Sequence, residues 1–519
     1  MTPKIGAPAG TGARGNDPLR LPARVRAFTD PIFYPHRPSA VELIETHISW
    51  VFLAGEYVYK VKKPVNLGFL DFRTLARRRH FCREEIRLNQ RLAPNAYLDV
   101  VTITGERGEY RLGGAGRTLE VAVWMRRLPA DRMLDQLVRT AGADHHLLED
   151  IGRTIAEFHA SAAQGPAIAR FGRPEVVRRN MEENLAQTGR LPPEVLPPAT
   201  RTIVRSFLRE TLRGQRRRFS ERVRAGRIRD CHGDLQAQHV CCTDPIQVFD
   251  CIEFNHRFRY GDTAGEIAFL AMDLDASGRS DLALDFINAY LDSSGDFGAV
   301  PLLDFYRAYR AWIRGKVYGL QAIDPGRAEH VALMSRARGY FELAASYARP
   351  RRAPSLTVMT GLSASGKSTV ARRIAHGVSA IVVRTDAVRK QLAGVPWHRR
   401  YTGAVGEGLY SAAMTERTYA TCLGVAEELL EAGWSVVLDG VFGRRAEREA
   451  ARALARVKDA SFRIVWCQAP EAVLRERLRA RQAGGRDVSD AGEDVLDLQL
   501  RHYEPPSAEA DVEHSLSHR

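Results

Sequence analysis

Two stretches of this chain bring together the residue types that grip phosphate. The first, "GLSASGKST", sets Gly361, Gly366, Lys367 and Ser368 in the pattern G-x-x-x-x-G-K-[ST]. Glycines let successive backbone N–H groups converge on phosphate oxygens, and a helix opening near Lys367 adds the positive end of its dipole. The cradle would run through Gly361, Leu362, Ser363, Ala364, Ser365, Gly366, Lys367, Ser368 and Thr369. Lys367 would reach the β- and γ-phosphates, and the Ser368 hydroxyl would help hold Mg²⁺. Asp439 ends the apolar run "WSVVLD", where a carboxylate can hold the same metal through water or merely cap the next helix. Asp386 ends "AIVVRTD" and reads as a contact or base for an acceptor hydroxyl, or again as a cap. Downstream, "RERLRARQAGG" is an arginine-rich helix before a glycine pair. Arg475, Arg477 and Arg481 fall near one face, suited to a lid that neutralises moving charge, or to a solvated basic surface.

The second stretch lies earlier. "CHGDLQAQHV" places His232 and Asp234 on a loop, and "VFDCIEFN" ends an apolar strand with Asp250, 16 residues after Asp234. Asp234 would orient an acceptor hydroxyl or take its proton, and Asp250 would bind magnesium bridging nucleotide phosphates. Upstream, Lys60 in "YVYKV" sits on a strand and can pair the α- and β-phosphates, with Glu85 of the following helix to fix it. Lys62 shares its face, because strand side chains repeat every two residues, and Glu84 is an alternative to Glu85. The Lys60–Lys63 cluster also reads as a basic edge that blocks aggregation.

The elements that must position these groups follow from pattern. His47–Val65 is short and β-like, with a turn near Gly55 and Glu56. Leu75–Ala93 is helical, Tyr97–Pro129 supplies further strands, and helices dominate from Leu134 to Ala225. A strand-and-loop interlude over Ile228–Arg257 carries the paired aspartates, and helices resume from Ala264 to Ala348. The basic, proline-containing segment 349–355 reads as a linker. Beyond it, strands near Leu356–Thr360, Ala380–Thr385, Ser435–Asp439 and Arg463–Gln468 alternate with helices, which implies a parallel sheet. The division is thus a tail over 1–25, a first domain over 26–348, a second over 356–507, and a polar tail over 508–519, with both tails expected to be disordered.

Composition bounds the function without naming it. The 519 residues are 45% hydrophobic, enough for sizeable cores, and no run is long and apolar enough for a membrane helix or a signal peptide. Seven cysteines without paired spacing argue for reduced thiols in a cytoplasm. The formal charge of +14 comes from 68 arginines and only 8 lysines spread along the chain, a compositional bias rather than a patch.

Residues 355–507 resemble the small P-loop kinases, the zeta-toxin and gluconate kinase-like group that also includes chloramphenicol phosphotransferase-like and polynucleotide 5′-kinase-like domains. "GLSASGKST", "RTDAVRK", "VVLDGVF", "RERLRARQ" and "VSDA" carry that resemblance. Residues 26–348 resemble the aminoglycoside phosphotransferase family, whose loop reads H-G-D-x-x-x-x-N, and "VAVWMRRLP" resembles its interlobe hinge. The resemblance implies an α+β, protein-kinase-like bilobal fold followed by an α/β P-loop kinase with helices flanking a parallel sheet. The order of the two is that of bacterial bifunctional aminoglycoside phosphotransferase/ATP-binding proteins. It implies ATP (or GTP) and Mg²⁺ as cofactors and a small-molecule hydroxyl as acceptor. Two departures stand out. His239 replaces the family's asparagine and takes its place in the candidate metal set with Asp250; imidazole is a softer donor than Mg²⁺ prefers, so that corner otherwise passes to water or Gln238, or the lobe is catalytically weakened. The strand turn "LAGEY" carries one glycine rather than three. Two other functions follow from particular features: a nucleic-acid 5′-end kinase or binding protein from the basic charge, and a P-loop ATPase gated by a ligand-binding pseudokinase from His239.

Overall fold

Alternation builds the first sheet. In β3 (Tyr57–Lys62), Tyr57, Tyr59 and Val61 join an aromatic core with Trp50 and Phe52 of β2 (Ser49–Ala54). Val58 points the other way, with Lys60 and Lys62, toward helix α1 (Leu75–Asn89). The computed structural model describes residues 21–106, 109–323, 329–397, 399, 408–484, 492–507, 509 and 511–516. Six strands, among them β1 (Val41–Glu45), β4 (Tyr97–Glu106), β5 (Glu109–Leu112) and β6 (Thr118–Arg126), form an antiparallel sheet in the order β1-β2-β3-β6-β4-β5. Thr74 caps α1 by accepting from the Arg77 N–H, and the helix buries Arg78, Cys82, Glu85 and Asn89 at helical spacing.

Leu21 and Val25, within the expected disordered tail, are buried in this core against Phe28, Tyr34 and Phe52. The local glycine- and proline-rich composition hides two apolar residues at one-turn spacing that the sheet needs as cover. Residues 1–20 of that tail lie outside the described residues.

Helices follow the sheet: α2 (His145–Ser161), α3 (Pro174–Gln187), α4 (Pro198–Gly214), α5 (Thr263–Ala276), α6 (Ser280–Ser294), α7 (Leu303–Gln321) and α8 (His330–Tyr347). Between α4 and α5, two short antiparallel pairs, β7 (Ile228–Asp230) with β10 (Tyr260–Asp262) and β8 (Val240–Cys241) with β9 (Gln247–Val248), bracket the two aspartate loops.

The chain divides into two compact units. One contains Met1–Leu147, Phe158–Arg279 and Leu302–Ala348, and the other Leu148–Glu157, Ser280–Pro301 and Arg349–Arg519. The second unit holds a five-stranded parallel sheet in the order β12-β13-β11-β14-β15, from β11 (Ser355–Thr360), β12 (Ile381–Arg384), β13 (Val436–Asp439), β14 (Ser461–Gln468) and β15 (Val512–Leu516). Helices α9 (Lys367–Val378), α10 (Thr385–Leu392), α11 (Ala412–Glu431), α12 (Arg445–Val457), α13 (Glu471–Gly484) and α14 (Glu493–His502) connect and follow the strands. β15 falls in the segment expected to be a disordered tail. Its five residues carry only two apolar side chains, and only pairing with the free edge of β14 makes it a strand.

Helix α6 belongs to this second unit and covers its opposite edge. Asn288 Oδ1 accepts the Val382 N–H of edge strand β12 at 3.0 Å, and Asp285 lies 2.8 Å from His376 of α9. Among the described residues, no helix is long and apolar enough to cross a membrane.

Candidate active site

In the first unit, burial forces the charged groups together. Lys60 Nζ lies 2.8 Å from Glu85 and 2.7 Å from Asp250. Lys62 Nζ contacts the other Glu85 oxygen at 2.6 Å and is also paired with Glu253. The two lysines thus share one glutamate, and only Lys60 reaches Asp250. Glu84 instead pairs with Arg87 on the surface. Burial disfavours the Lys60 ammonium, but Asp250 and Glu85 outweigh it and hold its proton affinity well above the ordinary value. Burial likewise pushes Asp250 and Glu85 up, but Lys60 with His239 outweighs it at Asp250 and the two lysines outweigh it at Glu85, leaving two carboxylates below their usual range.

Asp250 has φ 63°, a left-handed conformation costly for a non-glycine residue. Neighbouring contacts hold it there: its N–H donates to the Tyr97 hydroxyl at 3.2 Å, and the next N–H, of Cys251, donates to Asn89 Oδ1 at 2.8 Å. Asp234 sits on the facing loop, its Oδ1 accepting from Gln236 at 2.7 Å, and burial raises its proton affinity. His239 stands between the two aspartates, with Nδ1 2.9 Å from the Asp234 carbonyl and Nε2 3.8 Å from Asp250 Oδ2.

His232 lies behind the loop. Its Nε2 donates to the Phe249 carbonyl at 2.9 Å, its Nδ1 accepts the Asp234 N–H at 3.4 Å, and burial lowers its pKa to about 4. A neutral imidazole bonded to backbone at both nitrogens orients the loop. Gly233 has φ 88°, and a Cβ there would come within 2.8 Å of the Phe258 carbonyl.

Glu266 of α5 is a residue that sequence reasoning missed. It accepts the His232 and Gly233 N–H groups at 2.9 and 2.6 Å and lies 2.9 Å from His159. Burial pushes it up, but the His159 hydrogen bond leads the opposing effects, which bring it down to about 2. Its segment, Glu253–Asp275, is rich in carboxylates, but they are consumed inside the fold. Glu253 pairs with Lys62, Asp262 with Arg222, and Asp273 accepts the Ala237 N–H at 2.9 Å.

The second unit opens a cleft of 1570 Å³ whose lining includes Ser363, Ala364, Gly366, Lys367, Ser368, Thr369, Asp386, Asp439 and Arg477. Gly361 has φ 135°, and a Cβ would lie 2.2 Å from the Cys467 carbonyl, so only glycine passes here. Gly366, at φ 87°, caps α9. Lys367 Nζ donates to the Leu362 carbonyl at 2.7 Å, while the Leu362 side chain packs on Leu474, Leu478 and Leu496. Ser365 Oγ is buried without a hydrogen-bond partner among the described residues. The loop is braced from outside: Gln499 accepts the Ser363 N–H at 2.9 Å, and Arg477 donates to the Ala364 carbonyl at 3.3 Å. A loop that needs glycine at Gly361 and Gly366, an unspent buried hydroxyl and a lysine that donates to a carbonyl of the same loop fit a phosphate chain, and Ser368 with Asp439 offers oxygens suited to Mg²⁺.

The three arginines expected on one face separate. Arg475 is held by Glu471, Glu493 and Asp497, whereas Arg477 reaches the loop. Arg481 falls in the last turn of α13 and its side chain lies outside the described residues, as does the segment 485–491.

Asp292 of α6 approaches the cleft through Arg384, which lies 3.6 Å from both Asp292 and Asp439. Asp292 Oδ1 is buried without a hydrogen-bond partner among the described residues. Burial, against the pull of Arg384, pushes its pKa up to about 7. The folded chain therefore keeps this proton until about pH 7, whereas the unfolded chain releases it near the ordinary 3.8. Stability falls as pH rises between those values and is level above them. Asp292→Asn removes that slope. Its melting temperature relative to wild type is expected to rise by about 5 °C or more between pH 4.5 and pH 8, read by calorimetry. An unchanged difference would show that Asp292 stays ionised throughout.

Two family models match the chain. The family model described as "Phosphotransferase enzyme family" matches residues 55–312, and that described as "AAA domain" matches residues 356–506. A choline/ethanolamine kinase family protein from Mesorhizobium loti is 14% identical, covering 63% of this chain and 99% of its own, with TM-score 0.38. A gluconokinase from Sinorhizobium meliloti 1021 is 24% identical, covering 33% and 86%, with TM-score 0.24. Among curated relatives, the uncharacterized proteins Rv2004c of Mycobacterium tuberculosis (strain ATCC 25618 / H37Rv) and Mb2027c of Mycobacterium bovis (strain ATCC BAA-935 / AF2122/97) are each 33% identical over 450 residues, 86% of this chain and 88% of theirs. With a kinase-like phosphotransferase domain leading into a P-loop kinase domain, the chain belongs to the same family as these mycobacterial proteins.

Proposed function

We propose that the chain is an ATP-dependent phosphotransferase with two nucleotide sites, each passing a γ-phosphoryl group to a small-molecule hydroxyl. The observation that carries this reading is Lys60 clamped between Glu85 and Asp250, with Asp234 facing Asp250 across His239. That is a cation for the phosphates, an acid for a metal and a carboxylate for the acceptor, in one buried cluster.

In the first site, Lys60 would hold the α- and β-phosphate oxygens and Asp250 would hold the divalent ion, whose charge would offset the negative charge of the phosphates. Asp234 accepts a hydrogen bond from the acceptor hydroxyl. As the acceptor oxygen bonds to the γ-phosphorus, the bond from phosphorus to the β–γ bridging oxygen breaks, and the acceptor's proton passes to Asp234. Burial, which raises the proton affinity of Asp234, suits it to that step. In the second site, backbone amides from Gly361 to Thr369 and Lys367 hold the phosphates, Ser368 and Asp439 supply metal oxygens, and Asp386 faces the acceptor. Arg477, bonded to the loop, balances charge during transfer.

The internal pairing of the carboxylates in Glu253–Asp275 leaves that segment without a free acidic wall for a polycation, which favours a neutral or anionic alcohol. The test is a screen of γ-labelled ATP against metabolite pools, sugars, nucleosides, aminoglycosides and 5′-hydroxyl oligonucleotides. Transfer to a small alcohol supports the reading, label on oligonucleotide ends replaces it with a nucleic-acid kinase, and no transfer to any acceptor rejects it.

A further inference from the structure

The first site departs from its family at His239, and the structure shows what that imidazole offers. Its Nδ1 lies 2.9 Å from the Asp234 carbonyl oxygen. A carbonyl only accepts, so Nδ1 carries the hydrogen and Nε2 carries the lone pair. The surroundings of Nε2 agree: the Gln238 side-chain amide lies 3.1 Å away and can donate to it, and Asp250 Oδ2 is 3.8 Å away, beyond hydrogen-bond distance. The ring is buried, 2% exposed, and packs edge-on against Phe249. His232, the neighbouring imidazole, has both nitrogens engaged with backbone.

An Nδ1–H held by a backbone carbonyl, with the Nε2 lone pair beside a carboxylate and met by the Gln238 amide that a metal would displace, is the arrangement of a metal-binding histidine whose outer partner fixes tautomer and ring orientation. Nitrogen donors serve Mg²⁺ poorly and first-row transition ions well. Mn²⁺ accepts imidazole while keeping the oxygen-rich coordination a nucleotide requires.

Resting on the reading of this site as a metal–nucleotide site, we infer that His239 Nε2 and Asp250 Oδ2 together bind a divalent transition ion, Mn²⁺ in preference to Mg²⁺. The substitution of histidine for asparagine then changes the metal rather than disabling the lobe.

The test uses the full chain carrying Lys367→Ala, which silences the second site, loaded with Mn²⁺ and a non-hydrolysable ATP analogue. Pulsed electron paramagnetic resonance should show a ¹⁴N coupling from directly bound imidazole, changing to ¹⁵N when the protein is grown on ¹⁵N-histidine. The coupling should vanish in His239→Asn. Competition titrations should show that this substitution lowers the Mn²⁺-over-Mg²⁺ preference by about tenfold or more. Bound Mn²⁺ without histidine coupling overturns the inference and leaves the nucleotide site standing. Failure of the Lys367→Ala chain to bind any metal–nucleotide overturns both. The isotope arm needs no substitution at His239, so a misfolded variant cannot mask the answer.

Discussion

Asp234→Asn is expected to lower transfer from the first site by about 10³-fold while nucleotide binding there persists. The substitution keeps shape and removes the base. Asparagine still offers an oxygen to Gln236, and the His239 Nδ1 hydrogen bond goes to the backbone carbonyl at this position, which is unchanged. What is lost is the carboxylate that receives the acceptor's proton. Single-turnover transfer in the Lys367→Ala chain reads this site alone. Its pH profile carries a second signature. Burial raises the proton affinity of Asp234, so the wild-type acid limb should lie above the ordinary aspartate range and disappear in the variant. An unchanged product profile would reject catalysis by this half and leave it as a ligand-binding regulator of the second unit.

How far the sequence exposes these sites depends on how local each constraint is. The phosphate loop is contiguous, and its strand, glycines and helix all lie within Ser355–Val378, so spacing alone locates it. Asp234 and Asp250 sit on neighbouring loops of one interlude for the same reason. Lys60 and Lys62 mark the limit of pattern. Period-2 geometry puts both on one face, but only depth against Glu253 and Asp250 separates them. Glu266 reads as one polar residue in an apolar helix until the fold brings the amides of His232 and Gly233 to it. β15, and the placing of helix α6 in the second unit, are invisible to local reading because what decides them is the sheet edge each covers, far away in sequence. Arg475 and Arg477, read as sharing a face of α13, are two residues apart and so point to opposite sides of the helix, where the acids of α14 hold Arg475 and the loop takes Arg477.

Lys367→Ala is expected to weaken nucleotide binding at the second site by about 100-fold, the loss of roughly 2–3 kcal/mol that a charge-assisted contact supplies. The loop itself should survive. Its shape rests on the left-handed Gly361 and Gly366, on Gln499 and Arg477, and on the Leu362 side chain in its apolar pocket, and alanine continues α9 without strain. The Lys367 ammonium meanwhile donates to the Leu362 carbonyl, within the loop it must serve, so its removal deletes a cation and lets water reach that carbonyl in the cleft. Equilibrium dialysis with labelled nucleotide gives the decisive count. Wild type should retain two nucleotides per chain, Lys367→Ala one at concentrations that saturate the first site, and Lys60→Ala with Lys367→Ala none. A single nucleotide in wild type that Lys367→Ala removes would confine binding to the second unit. One that only Lys60→Ala removes would confine it to the first. Because Lys60 holds two carboxylates together as well as awaiting phosphate, Lys60→Ala should also lower the melting temperature, whereas Lys367→Ala should not. That contrast separates a lysine built into a core from one held at a loop for its ligand.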